Sequence, residues 1–101
     1  MVEVEITAPA LQDIKDIIDY VHKQSAQNAQ NLYKELFQKI TSLQSFPERG
    51  QIVREIERED IREIKLFHYR IIYQLGKKVS VLTVHHASRL LIHKPNLRDI
   101  L

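Results

Sequence analysis

Residues 43–50, which read LQSFPERG, mark the point at which the pattern of the sequence changes. Before this stretch, apolar residues recur at the helical spacing that forms one buried stripe on an amphipathic helix. After it, apolar and polar residues alternate in short runs, which is typical of half-buried strands. Pro47 fixes the boundary, because the residue before a proline disfavours the helical backbone conformation. The stretch therefore predicts helices first and a sheet after them.

The first half of the chain predicts one strand followed by a hairpin of two helices. Residues 2–6 alternate Val or Ile with Glu, and this period of two indicates a strand with one buried face. Thr7 can cap a first helix that tolerates Pro9 in its first turn, and Ser25 can cap a second. Only a few polar residues separate the helices, so we expect them to pack antiparallel. Their apolar stripes are Ala10, Leu11, Ile14, Ile17, Ile18 and Val21, then Ala29, Leu32, Tyr33, Leu36, Phe37, Ile40 and Leu43.

The second half of the chain predicts three or four strands. The candidates are residues 51–57, 61–67, 69–75 and 79–86. The charged residues 57–60 indicate a turn, and Gly76 opens a short hairpin connection. Short connections make consecutive strands antiparallel neighbours. We therefore predict an α+β fold of order β-α-α-β-β-β(-β), with the helix hairpin packed on one face of a curved, mainly antiparallel sheet.

Composition and charge limit the class of protein. At 101 residues the chain has room for one domain, which we place at residues 1–101 with a partly apolar tail at 90–101 in which Pro95 limits any helix. The absence of cysteine excludes disulfides and thiolate metal sites. Acids near the N-terminus and the lack of a long apolar run predict a cytoplasmic protein with no membrane contact. Residues 77–101 carry five Lys or Arg against one Asp, a basic end that attracts anionic partners.

Four motifs of the sequence resemble those of the RelE/ParE superfamily of toxins. They are LQSFPERG at residues 43–50, IREI at 61–64, YRIIY at 69–73 and VLTVHHASR at 81–89. The resemblance spans essentially the whole chain. It implies the toxin of a type II toxin–antitoxin (plasmid stabilisation) system, which inhibits growth and is neutralised by a cognate antitoxin. The superfamily has two branches: the RelE branch cuts mRNA on the ribosome, and the ParE branch inhibits DNA gyrase without nuclease chemistry.

The residues that suit RNA cleavage lie in the second half of the chain. Cleavage without a metal needs a base, an acid, and cations beside the phosphate. Arg62, Arg70 and Arg89 can supply the cations, because a guanidinium pairs with two phosphate oxygens at once. The resemblance places His86 and Arg62 at positions used by ribosome-dependent members, and Glu55 near an acid or base of others. The predicted function is therefore ribosome-dependent mRNA cleavage with these five residues as the catalytic site.

Two departures from the nuclease pattern favour the alternative, inhibition of gyrase. Nuclease members tend to carry extra lysines in the second strand, whereas residues 51–57 contain one cation and two acids. Such members also tend to carry a tyrosine near the C-terminus, and no tyrosine follows Tyr73. A third alternative is an inactive member that only binds its antitoxin.

Structural roles compete with catalytic ones at several of these positions. Arg62 can form a cross-strand ion pair with Glu55 or Glu63. Arg70 interrupts an apolar strand, so its cation needs either a partner or an open face. Tyr69 and Tyr73 share a strand face with Ile71, and packing is their expected role.

The expected partners are proteins and nucleic acid, with no cofactor and no metal. His85 and His86 are adjacent in a strand, point to opposite faces and cannot bind one ion together. The partners that the resemblance implies are the cognate antitoxin with the ribosome and mRNA, or alternatively DNA gyrase. We expect an acidic antitoxin segment along a sheet edge and the basic end, and an apolar patch beside the helices to bind antitoxin as well.

Overall fold

The two predicted helices are present in the computed structural model, which describes residues 1–88. Helix α1 spans Ala8–Gln24 and helix α2 spans Ala26–Ser42. The Thr7 side chain accepts a hydrogen bond from Ala10 N at 3.3 Å, and Ser25 Oγ accepts one from Asn28 N at 3.1 Å. Both predicted N-caps are therefore confirmed. Ser25 alone joins the two helices.

Within residues 1–88, five strands form one mixed sheet. They are β1 (Val4–Ile6), β2 (Gln51–Ile52), β3 (Ile61–Leu66), β4 (Tyr69–Gln74) and β5 (Val79–His86). Their order across the sheet is β1-β5-β4-β3-β2, in which only β1 and β5 pair in parallel. The α+β class and the mainly antiparallel sheet are confirmed. The tail at residues 90–101 lies outside the described residues, and the extent of one domain over residues 1–101 stays a prediction.

The main core lies between the helix hairpin and one face of the sheet. Leu36 and Ile14 of the helices pack there with Ile71 and Val81 of the central strands, all nearly or fully buried. Tyr73 is fully buried in the same core and Tyr69 packs against it, so the packing role expected of these tyrosines is confirmed. Within residues 1–88, neither helix has the length and hydrophobicity that a membrane span requires.

The strand predicted at residues 51–57 is wrong beyond Ile52. The chain leaves β3 after Ile52 and turns, with Ile56 N and Glu57 N both donating to Val53 O at 3.1 and 2.9 Å. Glu57 adopts a positive φ of 56°, which a strand cannot contain. Val53 and Ile56 are three residues apart, and their side chains pack on the sheet face opposite the helices. The turn therefore covers part of a face that the sequence predicted to be open.

Candidate functional site

The candidate site lies on the face of the sheet opposite the helices, which we call the outer face. Side chains alternate between the two faces along a strand. Ile71 points into the main core, so its neighbours Arg70 and Ile72 point to the outer face, where Ile72 packs with Val53. Glu63 is on the same face of β3, and His85 of β5 is the register partner of Arg70.

Arg70 is held between two carboxylates on this face. Its Nε donates to Glu63 Oε2 at 2.9 Å, and its Nη2 donates to the same carboxylate. Its Nη1 and Nη2 also donate to the two oxygens of Glu55, at 2.7 and 3.0 Å. The Arg70 and Glu63 side chains are about nine-tenths buried, at 10% and 9% exposure, whereas 39% of the Glu55 side chain is exposed. The turn of residues 53–60 places the Glu55 carboxylate beside the Arg70 guanidinium.

The electrostatics of this trio follow from its contacts. Hydrogen bonds from Arg70 lower the pKa of Glu55, against the opposing effect of burial. The two carboxylates in turn raise the pKa of Arg70, with the hydrogen bond to Glu55 as the largest cause. Glu55 is therefore ionised at neutral pH.

Arg62 does not join this group. It lies opposite Tyr73 in the register, on the strand face away from Glu63. Its Nε donates to Glu59 O at 2.8 Å, and its Nη1 donates to Gly50 O at 3.1 Å. The cross-strand ion pair expected between Arg62 and Glu55 or Glu63 is wrong, because both glutamates bind Arg70 instead.

His86 also lies away from the trio, at the end of β5 on the helix side. Its ring stacks on His68 with centroids 6.1 Å apart and meets the edge of Tyr69 at 5.6 Å. Its Nδ1 accepts a hydrogen bond from Ser88 N at 3.2 Å. Tyr69, His86 and Ser88 border a hollow of about 570 Å³ that Asp16 of α1 also lines. Arg89 lies outside the described residues.

The structure thus brings Glu55 and Arg70 together and leaves Arg62 and His86 elsewhere. Two residues of the outer face were missed as site residues. Glu63 was considered only as a partner for Arg62, and His85 only as a metal ligand. The signal that could have found Glu63 is the two-residue connection at Phe67 and His68. It sets the register of β3 against β4, in which Lys65 is opposite Arg70 and Glu63 is two residues from Lys65 on the same strand face.

In residues 1–88, no three His, Asp or Glu side chains are arranged to hold a metal ion. Adjacent positions in β5 place His85 and His86 on opposite faces, as the sequence indicated.

A second surface feature is an apolar groove between the helices, which we call the helix groove. It measures about 390 Å³, and its lining includes Leu11, Ile18, Tyr33 and Phe37. Leu11 and Tyr33 remain 53% and 52% exposed, and the Tyr33 and Phe37 rings are in contact at 4.6 Å. Large apolar side chains grouped on a surface are typical of a site for a protein partner.

Comparisons with known proteins agree with this architecture. The family model for the ParE toxin of the type II toxin–antitoxin system, parDE, matches residues 4–91. The chain is also similar to a solved structure described as "Chromosomal ParDE TA system from P. aeruginosa", with a TM-score of 0.70. That similarity has 21% sequence identity and covers 85% of this chain and 96% of the other, which supports the fold alone. No curated protein matches the sequence.

Proposed function

Because this chain belongs to the ParE toxin family of type II toxin–antitoxin systems, we propose that it arrests growth by binding DNA gyrase, without cleaving RNA. Its site of action is then the bacterial cytoplasm, and its natural partner is an antitoxin. The toxin role and the antitoxin partner follow from membership of the family. The choice of gyrase over the ribosome rests on the chemistry of the outer face.

The observation that supports the proposal is that Glu55 and Glu63 occupy the hydrogen-bond donors of Arg70. A cation that stabilises a phosphorane must have free donors that point at the phosphate. The donors of Arg70 are instead directed at carboxylates, through hydrogen bonds of 2.7 to 3.0 Å and a further contact from Nη2.

Arg62 and His86, the other candidate catalytic residues in residues 1–88, do not replace Arg70 as a group that could act on a phosphate. Arg62 donates to backbone carbonyls on the opposite face, and His86 lies at the far side of the sheet against Tyr69. A base, an acid and a cation must surround one phosphate, within hydrogen-bond reach of the reacting atoms. Binding, which needs no such convergence, is therefore the better explanation of toxicity.

Ribosome-dependent mRNA cleavage is the second candidate, and one observation favours it. Glu55, Arg70 and His85 lie together on the outer face, so a carboxylate, a guanidinium and an imidazole are close to one another. For cleavage, Glu55 would have to leave Arg70 when the ribosome presents mRNA. The imidazole of His85 would then replace His86 as the proton carrier.

The antitoxin is expected to use the helix groove. An amphipathic segment laid between α1 and α2 would cover Leu11 and Tyr33, which are half exposed in the free chain. Segments of this kind commonly fold as they bind. Such a contact leaves the outer face to other partners.

Inducible expression in a bacterial host tests the proposal, with growth, the DNA damage response and mRNA 5′ ends read from the same cultures. We expect growth arrest with a DNA damage response and an unchanged pattern of mRNA 5′ ends. New 5′ ends that disappear in the Glu55→Gln or His85→Ala variant would support the nuclease instead. Unimpaired growth would identify an inactive member that only binds its antitoxin.

A further inference from the structure

The turn between β3 and β4 holds an exposed phenylalanine in an unfavourable backbone conformation. Leu66 and Tyr69 are register partners, so Phe67 and His68 alone join the two strands. Two-residue connections favour a positive φ, which glycine or asparagine adopts at little cost. Phe67 supplies it here with a φ of 54°, a value that bulky residues rarely adopt, and its side chain is 67% exposed. A strained residue that the fold does not bury is a candidate for a functional role.

This turn lies beside the hollow between α1 and the ends of β4 and β5. The His68 ring stacks on His86, which lines this hollow of about 570 Å³. Tyr69 of β4 and Tyr20 of α1 line it as well, and Tyr20 is 64% exposed. Exposed aromatic residues grouped in this way are typical of a surface that binds another protein.

The lining of the hollow is acidic. Asp13 and Asp16 of α1 line it, and none of its lining residues within residues 1–88 is Lys or Arg. Asp13 accepts hydrogen bonds from β5, whereas Asp16 is exposed and accepts one from Gln12 Nε2 at 2.8 Å. In the described part of the chain, no Lys or Arg nitrogen lies within 4.0 Å of the Asp16 carboxyl oxygens. The hollow therefore favours a basic side chain of a partner over a phosphate or an acidic segment.

The hollow and the helix groove lie on different faces of α1. Asp16 and Tyr20 are four residues apart and line the hollow, whereas Leu11 and Lys15 are four apart and line the groove. An acidic antitoxin segment, the partner expected from the basic end of the chain, is disfavoured by the charge of the hollow. The target of the toxin is therefore the partner that this surface fits.

We propose that Phe67 and the adjacent hollow form the surface that binds DNA gyrase. Phe67 enters an apolar pocket of gyrase, and a basic side chain of gyrase enters the hollow, pairs with Asp16 and stacks on Tyr20. A few aromatic residues that fill pockets of the partner contribute most of the binding free energy at protein interfaces. The inference rests on the proposed function for the identity of the target, and it gives that function a place on the molecule.

The test measures the toxin concentration that halves supercoiling by purified gyrase, for the parent chain and for Phe67→Asn. Asparagine adopts a positive φ more readily than phenylalanine, so the variant should resist urea at least as well as the parent. Its inhibition should nevertheless be about tenfold weaker, because the apolar anchor is lost. The matched control is Phe46→Asn, which removes a phenylalanine of similar exposure, 65%, from a position without a positive φ. It should inhibit like the parent.

A second pair of variants tests the hollow in the same assay. Asp16→Lys should weaken inhibition about tenfold, because a like charge then faces the basic side chain of gyrase. Asp19→Lys makes the same change of charge three residues later in α1, at a position that lines the helix groove. This control should inhibit like the parent.

Equal inhibition by the parent and by Phe67→Asn or Asp16→Lys would overturn the inference and leave gyrase as the target. A Phe67→Asn chain that unfolds at clearly lower urea would also overturn it, because Phe67 would then serve the fold. A short oligothymidylate that shifts the Phe67 and Tyr20 amide signals of the isotope-labelled chain would identify a nucleic-acid surface instead. A parent chain that leaves supercoiling unchanged would contradict the proposed function itself, and this placement with it.

Discussion

The Arg70 side chain is the residue on which the functional account depends. A buried guanidinium without partners is costly, and a single carboxylate leaves some of its donors unused. Here Glu63 comes from the neighbouring strand and Glu55 comes from the turn over the outer face. Arg70 thus holds the turn of residues 53–60 against the sheet, which is a structural role.

Replacement of Glu55 by Gln should lower stability at neutral pH and have little effect in acid. Arg70 depresses the pKa of Glu55 below its usual value of 4.5 in the folded state. A depressed carboxyl pKa contributes stability above the unfolded value, and that contribution is lost as the pH falls through the folded pKa. Urea unfolding of both proteins at neutral pH and near pH 3 checks this.

The control for that series is Glu48→Gln, which removes the charge of an exposed glutamate outside the Arg70 contacts. It should behave like the parent at both pH values. If Glu55→Gln and the parent differ equally at neutral and acidic pH, the Arg70 contact does not supply the stability.

Gly50→Ala should destabilise the fold by about 1–3 kcal/mol, the usual cost of forcing extra atoms into a packed site. A Cβ at Gly50 would lie 2.5 Å from Tyr73 Oη and 2.7 Å from Glu63 O. It would disturb the buried hydroxyl, which accepts from Gly50 N at 2.9 Å and donates to Pro47 O at 2.8 Å.

Gly76→Ala provides the matched control for Gly50. Its nearest contact would be Lys78 O at 3.5 Å, an ordinary van der Waals distance. Thermal unfolding should separate the two variants clearly. Equal melting temperatures would show that the close contact between Gly50 and Tyr73 does not exclude a larger side chain at residue 50.

At the scale of elements, the helices and the hairpins could be predicted, and the second strand could not. Thr7 and Ser25 act as caps through contacts within three residues, so local sequence contains the information. Beyond Ile52, however, burial of Val53 and Ile56 depends on apolar residues of β3 and β4 that are distant in sequence. Alternation alone does not distinguish such a turn from a short strand.

The candidate site was predictable in part for the same reason. Arg70 needed a partner or an open face, and its strand position was correct. Its pairing with Glu55 depends on the turn at residues 53–60, which local sequence did not indicate. The separation of Arg62 from Glu63 follows directly from strand alternation once the bounds of β3 are known.

Asp13 of helix α1 accepts hydrogen bonds from β5, and Asp13→Ala should destabilise the fold by about 1–3 kcal/mol. The buried Thr83 hydroxyl donates to the Asp13 carboxylate, and Val84 N donates to it at 3.2 Å. The variant leaves both donors without this acceptor. Chemical denaturation should show the loss, whereas Asp19→Ala, at an exposed position of the same helix, should show almost none. Equal stability of the two variants would contradict this role.

At the scale of the whole molecule, each surface has a distinct character. One sheet face is filled by the helices, and the turn of residues 53–60 partly covers the other. The helix groove lies apart from the Arg70 trio. This separation allows an antitoxin to bind along the helices while Arg70 keeps its contacts with Glu55 and Glu63.

The most direct test of this account is gyrase supercoiling of a relaxed plasmid in the presence of the purified chain. We expect supercoiling to fall as the toxin concentration rises. The Glu55→Gln variant should inhibit equally at a temperature where it is folded, because inhibition by binding requires no chemistry of the Arg70 trio. Undiminished supercoiling in an excess of folded toxin would contradict the proposal that this protein acts by binding gyrase.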